Sequence, residues 1–227
     1  MSERAIGLFG GTFDPIHSGH LAAARAACRE FGLSEVHFVP SARPPHKAAR
    51  EMAPLADRYA MVVLACAGYP TLMASRLEAD IKRRRPYYTL ETVERARHRF
   101  GQRVKLYFLL GADSFEELPT WKDWEKLLEA CDFIVVNRPG YSLKRLRRVV
   151  PRGLLGRRSG SGGAARTGSG RARGWIALRR TAIYLLRGVE VPVSSTTIRQ
   201  RAARGLSLRG MVPRVVEEYI RQRKLYR

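Results

Sequence analysis

Residues 10–20 read Gly-Gly-Thr-Phe-Asp-Pro-Ile-His-Ser-Gly-His, after a short apolar run, Ala5-Ile6-Gly7-Leu8-Phe9, and before an alanine-rich stretch of helical period over 21–31. Strand, glycine turn, helix is the order in which α/β proteins bring backbone amides and a helix N-terminus to a phosphate. Paired glycines let the main chain approach a ligand that a Cβ would obstruct. His17 and His20 are three apart at a helix start and share a face. Each feature alone also reads as a tight turn or as solvated histidines; the combination is far more specific.

A second apolar run, Val36-His37-Phe38-Val39, follows the helical stretch. Strand, helix, strand at this spacing is a βαβ unit and predicts a parallel sheet. Further helices are expected over 54–67, with an apolar face of Leu55, Tyr59, Val62, Val63 and Cys66, and over 90–100, capped by Thr89. Strands are expected at 71–74, 104–110, 133–136, 175–178 and 182–186, and helices at 119–130, 143–150 and 212–226. The fold class this implies is α/β, a Rossmann-like doubly wound parallel sheet in a single domain over 1–227.

Charge and cysteines narrow the partners. The chain has 42 Lys and Arg against 20 Asp and Glu, a net charge of +22. Thirteen of the basic residues and none of the acidic ones lie between Tyr141 and Val189, so well over half the excess is local. Within that region 152–173 is almost entirely Arg, Gly, Ser and Ala, too poor in apolar side chains to offset its ordering entropy. It is expected to be a disordered basic insertion, solvated or touching RNA. No apolar run reaches the roughly eighteen residues of a membrane span, and the N-terminus does not resemble a secretory signal. Three scattered cysteines, Cys28, Cys66 and Cys131, have no metal-ligand spacing. A cytoplasmic protein without a membrane partner is expected.

Two more places carry chemistry. Gly111 and Asp113 follow the clearest strand, where parallel sheets bind ligands, and the Asp113 carboxylate can accept from ribose hydroxyls or cap a helix. Ser194-Ser195-Thr196-Thr197-Ile198-Arg199 joins hydroxyls, helix-start amides and a guanidinium in a second anion site. Between them, His46 and Lys47 end a proline-rich loop, Tyr88 is either a stacking wall or a hydrophobic staple, and Trp121 opens a further helix.

Every fixed position of the Gly-Gly-x-Phe-Asp-Pro-x-His-x-Gly-His signature of the nucleotidyltransferase superfamily is present at 10–20. With the late Ser-Ser-Thr-x-Ile-Arg segment, and with Pro44-Pro45-His46-Lys47, Tyr88-Thr89, Gly111-Ala112-Asp113-Ser114, Trp121 and Arg138-Pro139-Gly140-Tyr141, the chain is similar to the bacterial nicotinate-nucleotide adenylyltransferase family. The resemblance implies that nicotinate mononucleotide and ATP give nicotinate adenine dinucleotide and pyrophosphate. It places Gly10, Gly11, Thr12, Phe13, Gly111, Asp113, Ser194, Ser195 and Thr196 around ATP, with His17, His20 and Arg199 as the catalytic groups. His46, Lys47, Tyr88, Thr89 and Trp121 would bind the mononucleotide. Mg²⁺ is implied too, held mainly by substrate phosphates, with no protein metal cage. The nearest alternatives are the same transfer to nicotinamide mononucleotide or phosphopantetheine; a nucleic-acid-binding module on this fold is the more distant one.

Overall fold

The computed structural model describes the main chain of residues 4–42, 52–78, 85–137, 141–167, 170–189 and 191–227, and the side chains of all of these but 157–167 and 170–173. Strand β1 (Ala5–Gly11), helix α1 (Ser18–Phe31) and strand β2 (Glu35–Pro40) form the expected first unit, and β1 and β2 pair in parallel. Helix α1 buries Leu21, Ala23, Ala24, Ala27 and Phe31, the small side chains allowing close packing on the sheet. It ends at Gly32, whose φ of 62° is the left-handed C-cap that glycine adopts most cheaply.

The chain continues through α2 (Leu55–Cys66), β3 (Leu72–Ala74), α3 (Thr89–Phe100), β4 (Lys105–Gly111), a short α4 (Ala112–Glu116), α5 (Trp124–Ala130), β5 (Asp132–Val136) and α6 (Leu143–Val149). It ends with β6 (Leu155–Thr167), β7 (Gly170–Leu178), β8 (Ala182–Leu186), α7 (Ser195–Ala203) and α8 (Arg214–Gln222). The eight strands form one sheet in the order β3-β2-β1-β4-β5-β8-β7-β6. Pairing is parallel from β3 to β8 and antiparallel at β8-β7 and β7-β6.

Alternate residues of each central strand feed opposite layers, as the two-residue side-chain period requires. On β4, Tyr107 and Leu109 join the core beneath α1, α2, α7 and α8, while Leu106, Phe108 and Leu110 join the core beneath α3, α4, α5 and α6. Both faces are covered, which explains the near-continuous apolar strands. The doubly wound α/β class is the one expected.

Strand β6 and the start of β7 run through most of 152–173. These pair antiparallel with register shifts between Leu155 and Ser159 and between Gly160 and Ala164. A strand ladder is held by backbone N–H and C=O groups and needs few apolar side chains. Helix α2 turns a different face inward: Asp57 and Arg58 are buried and Val63 is 43% exposed, because both charged groups find polar partners inside. Thr89 is the first helical residue of α3 and Tyr88 its N-cap, with no side-chain cap bond. Helix α8 stops at Gln222, and Lys224 and Tyr226 have φ of 51° and 66°, so the tail turns back.

Candidate active site

In this strand order the direction of winding reverses between β1 and β4, and a crevice opens beyond the carboxyl ends of those two strands. A cleft of about 1240 Å³ lies there. Gly10 and Gly11 end β1 on one side, and Gly111 and Asp113 leave β4 on the other. The glycine pair has a further structural reason beyond ligand approach. A Cβ on Gly10 would lie 2.7 Å from Phe108 Cζ, and one on Gly11 would lie 3.0 Å from Phe13 Cζ. Rings from the two opposite cores thus press on successive residues of the turn.

His17 is the N-cap of α1 and His20 its third residue, and both line the cleft. Their rings stack with centroids 3.7 Å apart. The His17 backbone N–H donates to His20 Nδ1 at 3.3 Å. An accepting Nδ1 puts the proton of the neutral ring on Nε2, a tautomer inferred from this bond. Phe9 and Phe13 approach the His20 ring edge-on at 5.8 and 5.1 Å and fix its plane. Gly19 completes the arrangement, since a Cβ there would meet His17 ring atoms at 3.1 Å.

The second anion site arrives from α7. Ser194 is its N-cap and accepts from the Thr197 N–H at 3.1 Å, while Ser195 Oγ donates to the Pro15 carbonyl at 3.1 Å. Ser194, Ser195 and Thr197 line the cleft, so two helix N-termini converge on it. Thr196 and Arg199 are not among the residues lining it. Arg199 Nη1 donates to the Asp14 carbonyl at 2.8 Å and Nη2 to Thr196 Oγ1 at 3.4 Å, which sets the guanidinium against the back of the histidine loop.

Tyr88, Thr89 and Trp121 meet on the opposite wall. Lys122 places its ammonium 4.5 Å from the Tyr88 ring centroid, and Trp121 stands edge-on to Phe108 at 6.5 Å. Tyr87 is the buried member of the tyrosine pair, with Arg95 over its ring at 4.8 Å. His46 and Lys47 lie outside the described residues, as does the 138–140 stretch. Thr12 and Phe13 line the cleft beside the glycines.

Behind the histidines lies a buried polar set that sequence reasoning missed. Asp14 is 1% exposed and accepts from the Ala53 N–H at 3.2 Å and from the Tyr226 hydroxyl at 2.8 Å. Arg58, equally buried, donates through Nη1 to the Thr12 carbonyl at 2.7 Å and through Nε to the Ala53 carbonyl at 3.0 Å. Burial lowers the Arg58 pKa, against the raising effect of Asp14. Lys122 was also missed; it is the immediate neighbour of Trp121, an expected site residue, which is the one signal that could have found it.

A parallel sheet, a glycine turn at its switch point and two helix N-termini facing one cleft define a nucleotidyltransferase. A family model described as cytidylyltransferase-like matches residues 8–201. A protein of Moorella thermoacetica named probable nicotinate-nucleotide adenylyltransferase is 41% identical over 98% of this chain and 91% of its own. Its namesake in Thermus thermophilus is also 41% identical, over 98% of this chain and 99% of its own. The chain belongs to the nicotinate-nucleotide adenylyltransferase family. In fold it is similar to a Plasmodium falciparum nicotinic acid mononucleotide adenylyltransferase complexed with NaAD, with a TM-score of 0.72 at 16% identity, covering 98% of this chain and 97% of that one.

Proposed function

We propose that the cleft joins nicotinate mononucleotide to ATP, giving nicotinate adenine dinucleotide and pyrophosphate, the step of NAD biosynthesis for which the relatives are named. The observation that carries this reading is the convergence of the α1 and α7 N-termini, with His17 and His20, on a cleft whose opposite wall is aromatic. Its volume of about 1240 Å³ exceeds the roughly 300–1,000 Å³ of a single-ligand pocket and suits two nucleotides at once.

The chemistry needs no protein nucleophile. A 5′-phosphate oxygen of the mononucleotide attacks the α-phosphorus of ATP, the bond to the bridging oxygen breaks, and pyrophosphate leaves with that electron pair. The protein positions the two phosphates and stabilises the charge that develops between them. His20 donates from Nε2 toward that charge, and His17 supports its ring by stacking. Ser194, Ser195 and Thr197, with the α7 amides, hold the outer phosphates, and Thr196 adds its amide. Gly111 and Asp113 meet a ribose. Tyr88, Thr89 and Trp121 hold the pyridine ring, with His46 and Lys47 on the mononucleotide side. A helix terminus contributes only about 0.3–1 kcal/mol toward a nearby charge. A hydrogen bond to a charged group contributes about 1.5–3 kcal/mol. The side-chain donors therefore outweigh the dipoles. Arg199 acts one layer back, through Asp14.

Among the described residues there is no group of three or more His, Cys, Asp and Glu side chains arranged to hold a metal. A Mg²⁺ would be bound mainly by substrate phosphates and water and would neutralise phosphate charge. No helix among the described residues is long and apolar enough to cross a membrane.

The test is pyrophosphate release from ATP with nicotinate mononucleotide, nicotinamide mononucleotide and phosphopantetheine as alternative acceptors. Nicotinate mononucleotide is expected to give the highest kcat/KM. A clear preference for either other acceptor overturns the assignment.

A further inference from the structure

The segment after β8 grips the loop between β1 and α1, and the first residue of α1, at several points. Ser18 N–H and Oγ both donate to the Met211 carbonyl at 2.9 Å. Ser195 Oγ donates to the Pro15 carbonyl at 3.1 Å, and Arg199 Nη1 donates to the Asp14 carbonyl at 2.8 Å. The outermost contact comes from beyond α8, where the Tyr226 hydroxyl donates to Asp14 Oδ1 at 2.8 Å. The chain after α8 turns back with Lys224 and Tyr226 in the left-handed region, at φ of 51° and 66°, a conformation that non-glycine residues hold only when tertiary contacts fix it.

We propose that Tyr226 is a positioning residue for the reaction. Its hydroxyl fixes the Asp14 carboxylate, and Asp14 sits next to Phe13 and three residues before His17. Phe13 itself has a φ of 47° and lays its ring edge-on to His20 at 5.1 Å. Releasing Asp14 therefore frees the backbone and the ring that aim both histidines. Burial, followed by the neighbouring Asp14 carboxylate, pushes the Tyr226 pKa up, so the hydroxyl remains a donor throughout the working pH range.

The structure supplies its own control. Tyr219, on α8, donates its hydroxyl to Asp57 Oδ1, also at 2.8 Å. Asp57 belongs to α2 and not to the histidine loop. Tyr226→Phe and Tyr219→Phe thus each delete one phenol-to-carboxylate bond, and only the first acts on a residue of the histidine loop itself.

Both variants are made in the full chain and compared in kcat, KM for ATP, Tm and the NMR signals of the His17 and His20 ring C–H groups. Tyr226→Phe is expected to lower kcat about tenfold, within the range a sub-ångström misplacement of reacting groups costs. KM for ATP should stay within about twofold, because the phosphate contacts of α7 are untouched. Its histidine signals shift. Tyr219→Phe is expected to lower Tm comparably while kcat per folded molecule and both histidine signals hold. Equal kcat in the two variants, or unmoved histidine signals in Tyr226→Phe, overturns the proposal. The kinetic arm rests on adenylyl transfer as proposed above. If the wild-type chain releases no pyrophosphate with any acceptor, that reading fails and the histidine signals alone decide the role of Tyr226.

Discussion

Replacing His20 separates two jobs that one ring performs. Nδ1 accepts from the His17 N–H at 3.3 Å and holds the start of α1, while Nε2 is the donor proposed to face the reaction. Asparagine places an amide oxygen near Nδ1 and nothing at Nε2. His20→Asn should therefore keep the helix start and lose the donor, at a cost of about 10²–10³ in kcat, the amount seen when one preorganised oxyanion donor is removed. His20→Ala loses both functions and empties the space between Phe9 and Phe13. It should match Asn in kcat and in addition lose about 1 kcal/mol for the missing hydrogen bond, or roughly 2–4 °C in Tm for a chain of this size. Glutamine reaches the Nε2 position with an amide N–H and should recover about tenfold over alanine. The assay is pyrophosphate release at saturating ATP and mononucleotide, with Tm measured on the same preparations. If His20→Asn retains more than about a third of wild-type kcat, Nε2 is not the stabilising donor, since a lost donor predicts at least a hundredfold.

Arg58→Met strips two charge-assisted donors from the buried Thr12 and Ala53 carbonyls. Breaking such a buried arrangement costs about 3–5 kcal/mol, so Tm should fall by roughly 10 °C, with kcat falling as the histidine loop loosens; a scanning calorimetry shift under about 3 °C would contradict it. Gly10→Ala drives a methyl group to 2.7 Å from Phe108, whose ring stands edge-on to Trp121. Overpacking of about 1–3 kcal/mol should appear in Tm, and KM for the mononucleotide should rise more than KM for ATP. His37 is buried near Glu35 and Phe100, and burial lowers its pKa below 6.5, against the raising effect of Glu35 and with smaller lowering effects from Arg99 and Arg4. The unfolded chain takes up that proton at higher pH than the native one, so stability is present above about pH 6.5 and lost as pH falls below it. His37→Gln should flatten the drop in Tm between about pH 7 and 5, as followed by thermal melts across that window.

The βα rhythm, the parallel sheet and the two helix starts that face the cleft were legible because each is written in neighbouring residues: glycines after an apolar run, hydroxyls before a periodic one. What escaped is written across the chain. Arg58 meets the Thr12 carbonyl over 46 positions and Tyr226 meets Asp14 over 212. Nothing local to Arg58 or Tyr226 marks either as part of the site; Asp57 and Arg58 read as the solvated side of α2 until their partners are known. Arg199, whose place in a hydroxyl-rich helix start reads as a phosphate contact, also gives two of its five N–H donors to the Asp14 carbonyl and Thr196 Oγ1.

The Tyr226–Asp14 bond also orders events in time. Synthesis runs from the N-terminus, so the histidine loop, made more than two hundred positions earlier, waits for its outermost brace while the whole sheet is translated. As long as residue 226 is still inside the ribosome, a nascent chain can fold its parallel sheet but cannot set the loop. With the role proposed for Tyr226, emergence of that tyrosine completes the catalytic geometry.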